Sequence, residues 1–290
     1  MERIVGRDLF VGHTGGGFDL VYRHLGNGHT ECLAQPIVTW EHVGVLSDQA
    51  HEDRLAQVED TKLERHQSNL ERAAKRAKQR VRHLCKVSGI DTLLTLTYAA
   101  NMTDWDTLKL HVKEFNRRMS KLVPGWFYVA AFERQKRGAW HVHMAVHRLP
   151  VALQASNGVK VKSFNVVRAV WRAVAKEFGG NIDVQSKKRN SDRAPSRIAA
   201  YISKYMIKAF AEGEAWKNRF SSSKGIAVPK PVRIRFAGYS LIDMCRLIFD
   251  NCLDYVHSQQ LRWGLTGFKD GVWFVLDTNI AFKPPQEVRV

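Results

Sequence analysis

The sequence predicts an α+β fold in which helices gather on one side of a mainly antiparallel sheet. The first observation is the order of the predicted elements between residues 92 and 212: strand, helix, two strands, helix, strand and helix. The second is the turn Gln-Lys-Arg-Gly at residues 135–138, which joins two apolar runs as an antiparallel hairpin. Helices segregated to one face of such a sheet define the α+β class.

The first half of this region holds three strands and one helix. Residues 92–98 alternate Leu and Thr in part, which is typical of a core strand. Asp104 has the side chain of an N-cap and opens a helix that runs to about Leu122, before Pro124 and Gly125. Residues 126–134 and 139–147 then form the hairpin.

The second half holds two helices and a short strand. Ser163 opens a helix to Phe178, and Gly179 with Gly180 stops it. Residues 181–186 predict a strand, and residues 195–212 a helix. Before this region, residues 1–46 are rich in strands and turns, and residues 48–86 are helical. We therefore expect three parts: an N-terminal accessory segment at 1–88, a central domain at 89–212 and a C-terminal accessory region at 213–290.

The composition indicates a polyanionic partner. The chain has 45 Lys and Arg against 28 Asp and Glu, a net charge of +17, and nucleic acid is the commonest partner for such an excess. No apolar run approaches the roughly 20 residues of a membrane span, and the first residues lack a signal-peptide core, so we expect a cytoplasmic protein. The four cysteines show no CxxC spacing, which favours reduced thiols.

Positive charge is concentrated in two stretches. Residues 72–86 hold seven basic residues and no acidic one, and residues 186–235 hold 13 basic residues against three acidic ones. Both a solvated helix face and a nucleic-acid contact fit the first stretch. The candidate DNA-binding residues are Arg72, Lys75, Arg76, Lys187, Lys188, Arg189 and Arg193.

A pair of histidines lies on the second strand of the hairpin. Residues i and i+2 of a strand point to the same face, so His141 and His143 project together. If Arg134 pairs with Trp140, the carboxylate of Glu133 lies opposite His141 on that face. One oxygen and two nitrogens with open coordination positions can hold Mg²⁺ or Mn²⁺ against a phosphate oxygen.

Two tyrosines and two lysines form one stripe of the last helix. Tyr201, Lys204, Tyr205 and Lys208 follow at i, i+3, i+4 and i+7, beside an apolar stripe that includes Ile202. Tyrosine is a weak nucleophile at its ordinary pKa of about 10, and nearby ammonium groups and a metal favour the phenolate. The stripe predicts attack on a phosphodiester, which gives a phosphotyrosine and releases a hydroxyl.

The motifs together resemble the HUH endonucleases, which include the rolling-circle replication initiators of phages and plasmids. Residues 93–97, Leu-Leu-Thr-Leu-Thr, match the apolar strand with a Thr-rich end, and His141-Val142-His143 match the His-hydrophobic-His motif. Residues 201–208 match Tyr-hydrophobic-x-Lys-Tyr-hydrophobic-x-Lys at every position. With two tyrosines, the chain is most similar to phage-type initiators, including the gene II-type proteins of filamentous phages.

The resemblance covers about residues 90–212 and implies a five-stranded antiparallel sheet of ferredoxin-like type, with N-terminal and C-terminal additions. It implies nicking at an origin, with a divalent metal, to leave a 5′-phosphotyrosine and a 3′-hydroxyl primer in a bacterial host cell. The implied roles are metal ligands His141 and His143 with Glu133 as the third, nucleophiles Tyr201 and Tyr205, and assisting Lys204 and Lys208. The substrate is a single-stranded or extruded origin site. Because the sequence has no P-loop motif, we expect a separate helicase and replication machinery as partners.

Three other functions remain open. A transposase or relaxase of the same fold would share the catalytic step. An Fe(II) oxygenase with two histidines and one carboxylate would use Glu133, His141 and His143, but would leave the tyrosine stripe and the charge unexplained. A basic DNA-binding protein without catalysis would fit the charge, but would have no need of Tyr201 and Tyr205.

Overall fold

The computed structural model describes residues 1–60, 62–147, 149–154, 158–186, 194–211, 220–253, 261–267 and 270–277 of the 290-residue chain. It divides into two compact units, one formed by Met1–Asn69 with Pro229–Val290 and the other by Leu70–Val228. Among the described residues, none of the helices combines the length and the hydropathy that a membrane span requires.

The described residues form 13 strands and six α-helices. The strands are β1 (Glu2–Val5), β2 (Asp8–Gly26), β3 (His29–Val45), β4 (Thr92–Thr97), β5 (Tyr128–Arg134), β6 (Trp140–Val146), β7 (Ala152–Gln154), β8 (Lys160–Lys162), β9 (Asn181–Ser186), β10 (Phe220–Ser222), β11 (Val232–Ala237), β12 (Leu261–Leu265) and β13 (Val272–Asp277). The helices are α1 (Asp48–Asp60), α2 (Lys62–Val87), α3 (Trp105–Leu122), α4 (Ser163–Ala175), α5 (Ala194–Ala211) and α6 (Leu241–Leu253). A 3₁₀ turn, Lys176–Phe178, follows α4.

The first unit is built on one antiparallel sheet. Its strands lie in the order β1-β2-β3-β13-β12, and β11 pairs with β2. The long hairpin of β2 and β3 turns at Asn27 and Gly28, whose φ angles of 50° and 75° suit a tight two-residue hairpin turn. One face of this sheet packs on α6, and Leu20, Phe274 and Met244 lie in that core.

The second unit contains a five-stranded antiparallel sheet in the order β10-β5-β6-β4-β9. This confirms the predicted α+β class with a mainly antiparallel, five-stranded sheet. The predicted strands and helices between residues 92 and 212 are all present, and the carboxylate of Asp104 caps α3 by accepting the backbone N–H of Thr107 at 2.6 Å. The edge strand β10 is an addition that the sequence pattern did not indicate.

Helices cover both faces of this sheet, so the expectation that they gather on one side is wrong. Alternate residues of β5 show why: Ala130 and Phe132 face a core that contains α3 and α4, whereas Val129 and Ala131 face a second core that contains parts of α2 and α5. Strands that are apolar on both faces need cover on both sides. The tyrosine-bearing α5 therefore covers the face opposite to that of α3 and α4.

Candidate active site

The pairing of β5 with β6 brings Glu133 directly opposite His141, and Arg134 opposite Trp140. The predicted register of the hairpin is thereby confirmed. On the other side of β6, strand β4 places Thr97 opposite His141 and Thr95 opposite His143. Paired residues of a sheet share a face, and the period of a strand is two. The side chains of Glu133, His141, His143, Thr95 and Thr97 therefore all point to the face that α5 covers.

Glu133, His141 and His143 form a cluster that could hold a metal ion. One ligand atom from each lies within 4.8 Å of the others. His143 Nε2 lies 2.9 Å from Glu133 Oε2, and the two side chains are only 6% and 18% exposed. Ligands that bind Mg²⁺ at about 2.0–2.1 Å lie at most about 4.2 Å apart. Small side-chain adjustments would therefore bring the three ligand atoms to the distances that this ion requires. The residues present fit a divalent cation that keeps open coordination positions.

The imidazole of His143 contacts a hydroxyl on the neighbouring strand. The Nδ1 atom of His143 lies 3.4 Å from Thr95 Oγ1, on the neighbouring strand. Contacts of this kind orient a histidine ligand and fix the ring nitrogen that faces the ion. The pKa of His141 is lowered, chiefly by burial and further by His143 and Arg137, against the opposing influence of Glu133. This lowered pKa favours the neutral imidazole of His141, which is the form that binds metals.

Helix α5 places both tyrosines over this cluster. The ring of Tyr205 stacks on the imidazole of His143, with 3.7 Å between ring centroids and 15° between planes. Tyr201 meets the same imidazole edge-on at 5.9 Å, and its side chain remains 39% exposed. Ile202 is fully buried against the sheet, which holds the helix in this rotation. The structure thus brings both phenols and all three candidate ligands together.

The two phenols are also in direct contact. The hydroxyl of Tyr205 donates a hydrogen bond to the oxygen of Tyr201 at 2.7 Å. The pKa of Tyr205 is raised, first by burial, then by the hydrogen bond and charge of Tyr201, and also by Glu133. From the sequence, Lys204 and Lys208 are expected to favour the phenolate. Lys204 is exposed and is not among the groups that shift the pKa of Tyr205. The side chain of Lys208 lies outside the described residues.

An open cleft beside His141 contains two cations, Lys136 and Arg137, which the sequence pattern indicates only as part of a turn. It is lined by Thr97, Tyr98, Glu133, Gln135, Lys136, Arg137 and His141. Arg137 is fixed there, because its Nη2 donates to the carbonyl of Tyr98 and its Nε to Gln135 Oε1, both at 3.1 Å. Two adjacent cations in the short turn between Glu133 and His141 were the signal that could have identified them.

The predicted DNA-binding residues fall into two groups. Arg72, Lys75 and Arg76 lie on α2, and all three are exposed. The second group, Lys187, Lys188, Arg189 and Arg193, lies outside the described residues. Their roles stay predictions.

The similarity of this chain to known proteins lies in its central part. No curated protein and no solved structure matches the sequence. Residues 91–210 match the family model for replication-associated proteins of the ORF2 and gene II protein type. These residues include the β5–β6 hairpin with its three candidate ligands, and both tyrosines of α5. Residues 91–210 are therefore similar to the replication-associated ORF2 and gene II protein family, which confirms the predicted resemblance to gene II-type replication proteins.

Proposed function

We propose that this chain is a rolling-circle replication initiator that nicks one DNA strand at an origin through a tyrosine. The observation that carries the proposal is the stacking of Tyr205 on His143, which is itself hydrogen-bonded to Glu133. A nucleophile, two imidazoles and a carboxylate thus converge on one sheet face. The match to a replication-associated family over the same residues supports this function.

The reaction exchanges one phosphodiester for another. The phenol oxygen of Tyr201 or Tyr205 attacks phosphorus, the bond from phosphorus to the 3′ oxygen breaks, and that oxygen takes up a proton to become the 3′-hydroxyl primer. The phenol proton leaves to a nearby base or to water. Since the number of phosphoester bonds is unchanged, attack by a 3′-hydroxyl on the phosphotyrosine religates the strand without ATP.

The residues of this chain have distinct parts in that step. Glu133, His141 and His143 would hold a divalent cation, which would supply positive charge beside the reacting phosphate. Arg137 and Lys136 provide positive charge at the rim of the adjoining cleft, where a substrate phosphate can be held. The stack between His143 and Tyr205 fixes the ring, so little orientational freedom is lost when the phosphate arrives.

A second tyrosine one helical turn away suits strand transfer. The oxygens of Tyr201 and Tyr205 lie 2.7 Å apart, so both reach essentially the same position over the cluster. After one phenol has formed a phosphotyrosine, the other remains available for a second strand. Lys204 and Lys208 are assigned as charge stabilisers or assisting bases in this scheme.

The domains, the location and the partners of the protein belong to the same proposal. Residues 89–212 act as the catalytic domain, and residues 1–88 and 213–290 as accessory regions that hold origin recognition. The protein works in the cytoplasm of a bacterial host with Mg²⁺ or Mn²⁺, and depends on a separate helicase and replication machinery. A transposase or relaxase would perform the same cleavage, but the family match favours replication.

Covalent trapping tests the proposal. The protein is incubated with Mn²⁺ and single-stranded oligonucleotides that tile the DNA element encoding it, and is then run on a denaturing gel. A protein–DNA adduct that resists denaturation is expected with an oligonucleotide from the origin. Absence of an adduct over the whole tiling set, with protein that still binds DNA, would favour a non-catalytic DNA-binding protein.

A further inference from the structure

A second basic groove lies in the unit that holds the candidate active site, along α3 and the edge of the five-stranded sheet. Its volume is about 700 Å³, within the range of roughly 300–1,000 Å³ that is usual for ligand sites. Its lining includes four cations and two indole rings: Lys109, Lys113, Arg117, Lys224, Trp105 and Trp126. Cations, aromatic rings and hydroxyls together suit a nucleic-acid strand.

The cations of the groove form a row. Lys109, Lys113 and Arg117 follow at i, i+4 and i+8, which places them on one face of α3. Lys109 pairs with Asp106 and Arg117 with Glu114, each at 2.7 Å on the exposed surface. Among the described residues, Lys113 has no carboxylate partner. Exposed ion pairs contribute little, so phosphate groups can replace the carboxylates of the other two.

Aromatic rings form the floor beside this row. Trp105, Trp126 and Tyr128 are half-buried: they pack against the core of the unit and also line the groove. The indole N–H of Trp126 donates to Asn116 Oδ1 at 2.9 Å, which holds that ring in place. Fixed aromatic rings next to a positively charged groove are the usual way to hold unpaired bases without sequence preference.

The far wall is the short strand β10, which pairs with β5 at the edge of the sheet. Ser221 and Ser222 belong to this strand, and Ser223 and Lys224 follow it. The Oγ atom of Ser221 lies 3.1 Å from the hydroxyl of Tyr128. The Oγ atom of Ser223 accepts the backbone N–H of Tyr128 at 3.2 Å. Hydroxyl groups of serine are common contacts to DNA phosphates. Lys224 adds a charge opposite the row on α3.

The groove and the metal cluster occupy opposite faces of β5. Phe132 packs in the core beneath α3, whereas Glu133, the next residue, turns to the face of α5. The groove is therefore a separate surface from the cleft that contains His141. A DNA strand in the groove does not occupy the position of the reacting phosphate.

We propose that this groove binds single-stranded DNA, as a second site that retains an unpaired strand while the tyrosines act on another stretch. The proposal rests on the proposed function for the identity of the nucleic acid. The cations contact phosphates, and the rings of Trp105 and Trp126 stack with bases. A duplex keeps its bases stacked on one another, so the groove favours an unpaired strand.

Binding in the absence of metal tests the groove separately from cleavage. Fluorescence anisotropy with labelled oligothymidylate in EDTA compares the full chain with Lys113→Glu/Lys224→Glu. The matched control is Lys121→Glu/Lys160→Glu, which makes the same charge change at two exposed lysines outside the groove. The groove variant is expected to bind at least about 10-fold more weakly than the control. Its slope of log affinity against log salt should be smaller by about 0.7 for each lost phosphate contact.

Lys113→Gln/Lys224→Gln gives a milder change that preserves folding, and is expected to shift affinity and salt slope in the same direction. Equal affinity and slope for the groove and control variants would overturn the proposal, as would equal competition by a duplex of the same length. Because no cleavage occurs in EDTA, failure of the tyrosine chemistry would leave this result unaffected.

Discussion

His143 lies between Tyr205 and Glu133: its ring stacks on the phenol at 3.7 Å between centroids, and its Nε2 lies 2.9 Å from the carboxylate. One imidazole is therefore in contact with the proposed nucleophile and with another candidate metal ligand. This coupling links the position of α5 to the arrangement of the candidate metal ligands. It also makes His143 the residue whose loss should have the widest effect.

Removal of both phenol oxygens should abolish the covalent adduct. Tyr201→Phe/Tyr205→Phe keeps both rings and hence the packing on His143, but no nucleophile remains. Either single change should leave partial nicking, because the two oxygens lie 2.7 Å apart over the same cluster. The adduct is measured on a denaturing gel with Mn²⁺ and an origin-derived single strand. Adduct formation by the double variant at the wild-type rate would exclude these tyrosines as nucleophiles.

The histidines should be needed for cleavage but not for DNA binding. His141→Ala or His143→Ala should reduce adduct formation by about 100-fold or more, while affinity for DNA stays nearly unchanged because phosphate contacts dominate it. His147→Ala is the matched control, since His147 is exposed at the end of the same hairpin. A parallel loss of binding and cleavage would indicate a structural role instead.

His143→Ala should also destabilise the protein more than His141→Ala. His143 is 5% exposed and contacts Thr95, Glu133 and Tyr205, so its removal leaves a buried gap and unsatisfied polar groups. We expect a loss of about 1–3 kcal/mol in the free energy of unfolding. Denaturant melts of the two variants measure the difference, and equal midpoints would contradict it.

Glu133→Gln should be milder than either histidine change. The amide keeps an oxygen for the ion but removes its negative charge, so metal affinity falls while the ligand geometry is retained. Adduct formation should recover as Mn²⁺ is raised, which a titration of the reaction with Mn²⁺ measures. A loss of activity that no Mn²⁺ concentration restores would argue against Glu133 as a metal ligand.

Much of the candidate site could be predicted because it depends on local periodicity. The alternation of a strand and the turn at residues 135–138 fix Glu133 opposite His141, whatever the rest of the chain does. The row of Tyr201 and Tyr205 follows from the helical period in the same way. The contact between the two segments could not be predicted, since the stacking of Tyr205 on His143 depends on which sheet face α5 covers.

The layers of the fold were harder to predict for a related reason. Strands β5 and β6 carry apolar residues on both faces, and this pattern does not say which helix covers which face. Strand β10 has only three residues, too few to show a period. The raised pKa of Tyr205 likewise depends on burial and on Glu133 from another element, which spacing within α5 cannot show.

Gly180 should tolerate no side chain. A Cβ there would lie 2.6 Å from Trp171 Nε1 and 2.8 Å from the carbonyl oxygen of Thr97, two groups that share a hydrogen bond of 2.8 Å. Gly180→Ala should therefore cost about 1–3 kcal/mol of stability through overpacking at the end of β4. Gly16→Ala, where nothing lies within 4 Å, is the matched control. Equal melting temperatures for the two variants would show that this packing is looser than the structure indicates.

DNA binding should fall steeply with salt and should favour an unpaired or extruded site. The net charge of +17 and the basic side chains Arg72, Lys75 and Arg76 on α2 provide many cations for phosphates. Neutralising roughly 6–10 phosphates would lower affinity about 10³–10⁵-fold between 50 and 200 mM salt through counterion release. The strand preference follows from the rigid placement of Tyr201 and Tyr205 on α5, because a phenol held in this way must meet one phosphate in line, which an intact duplex hinders. Nicking assays on matched single strands and relaxed duplex, over a salt series, measure both effects, and equal nicking of the two substrates would show that the site accepts ordinary duplex DNA.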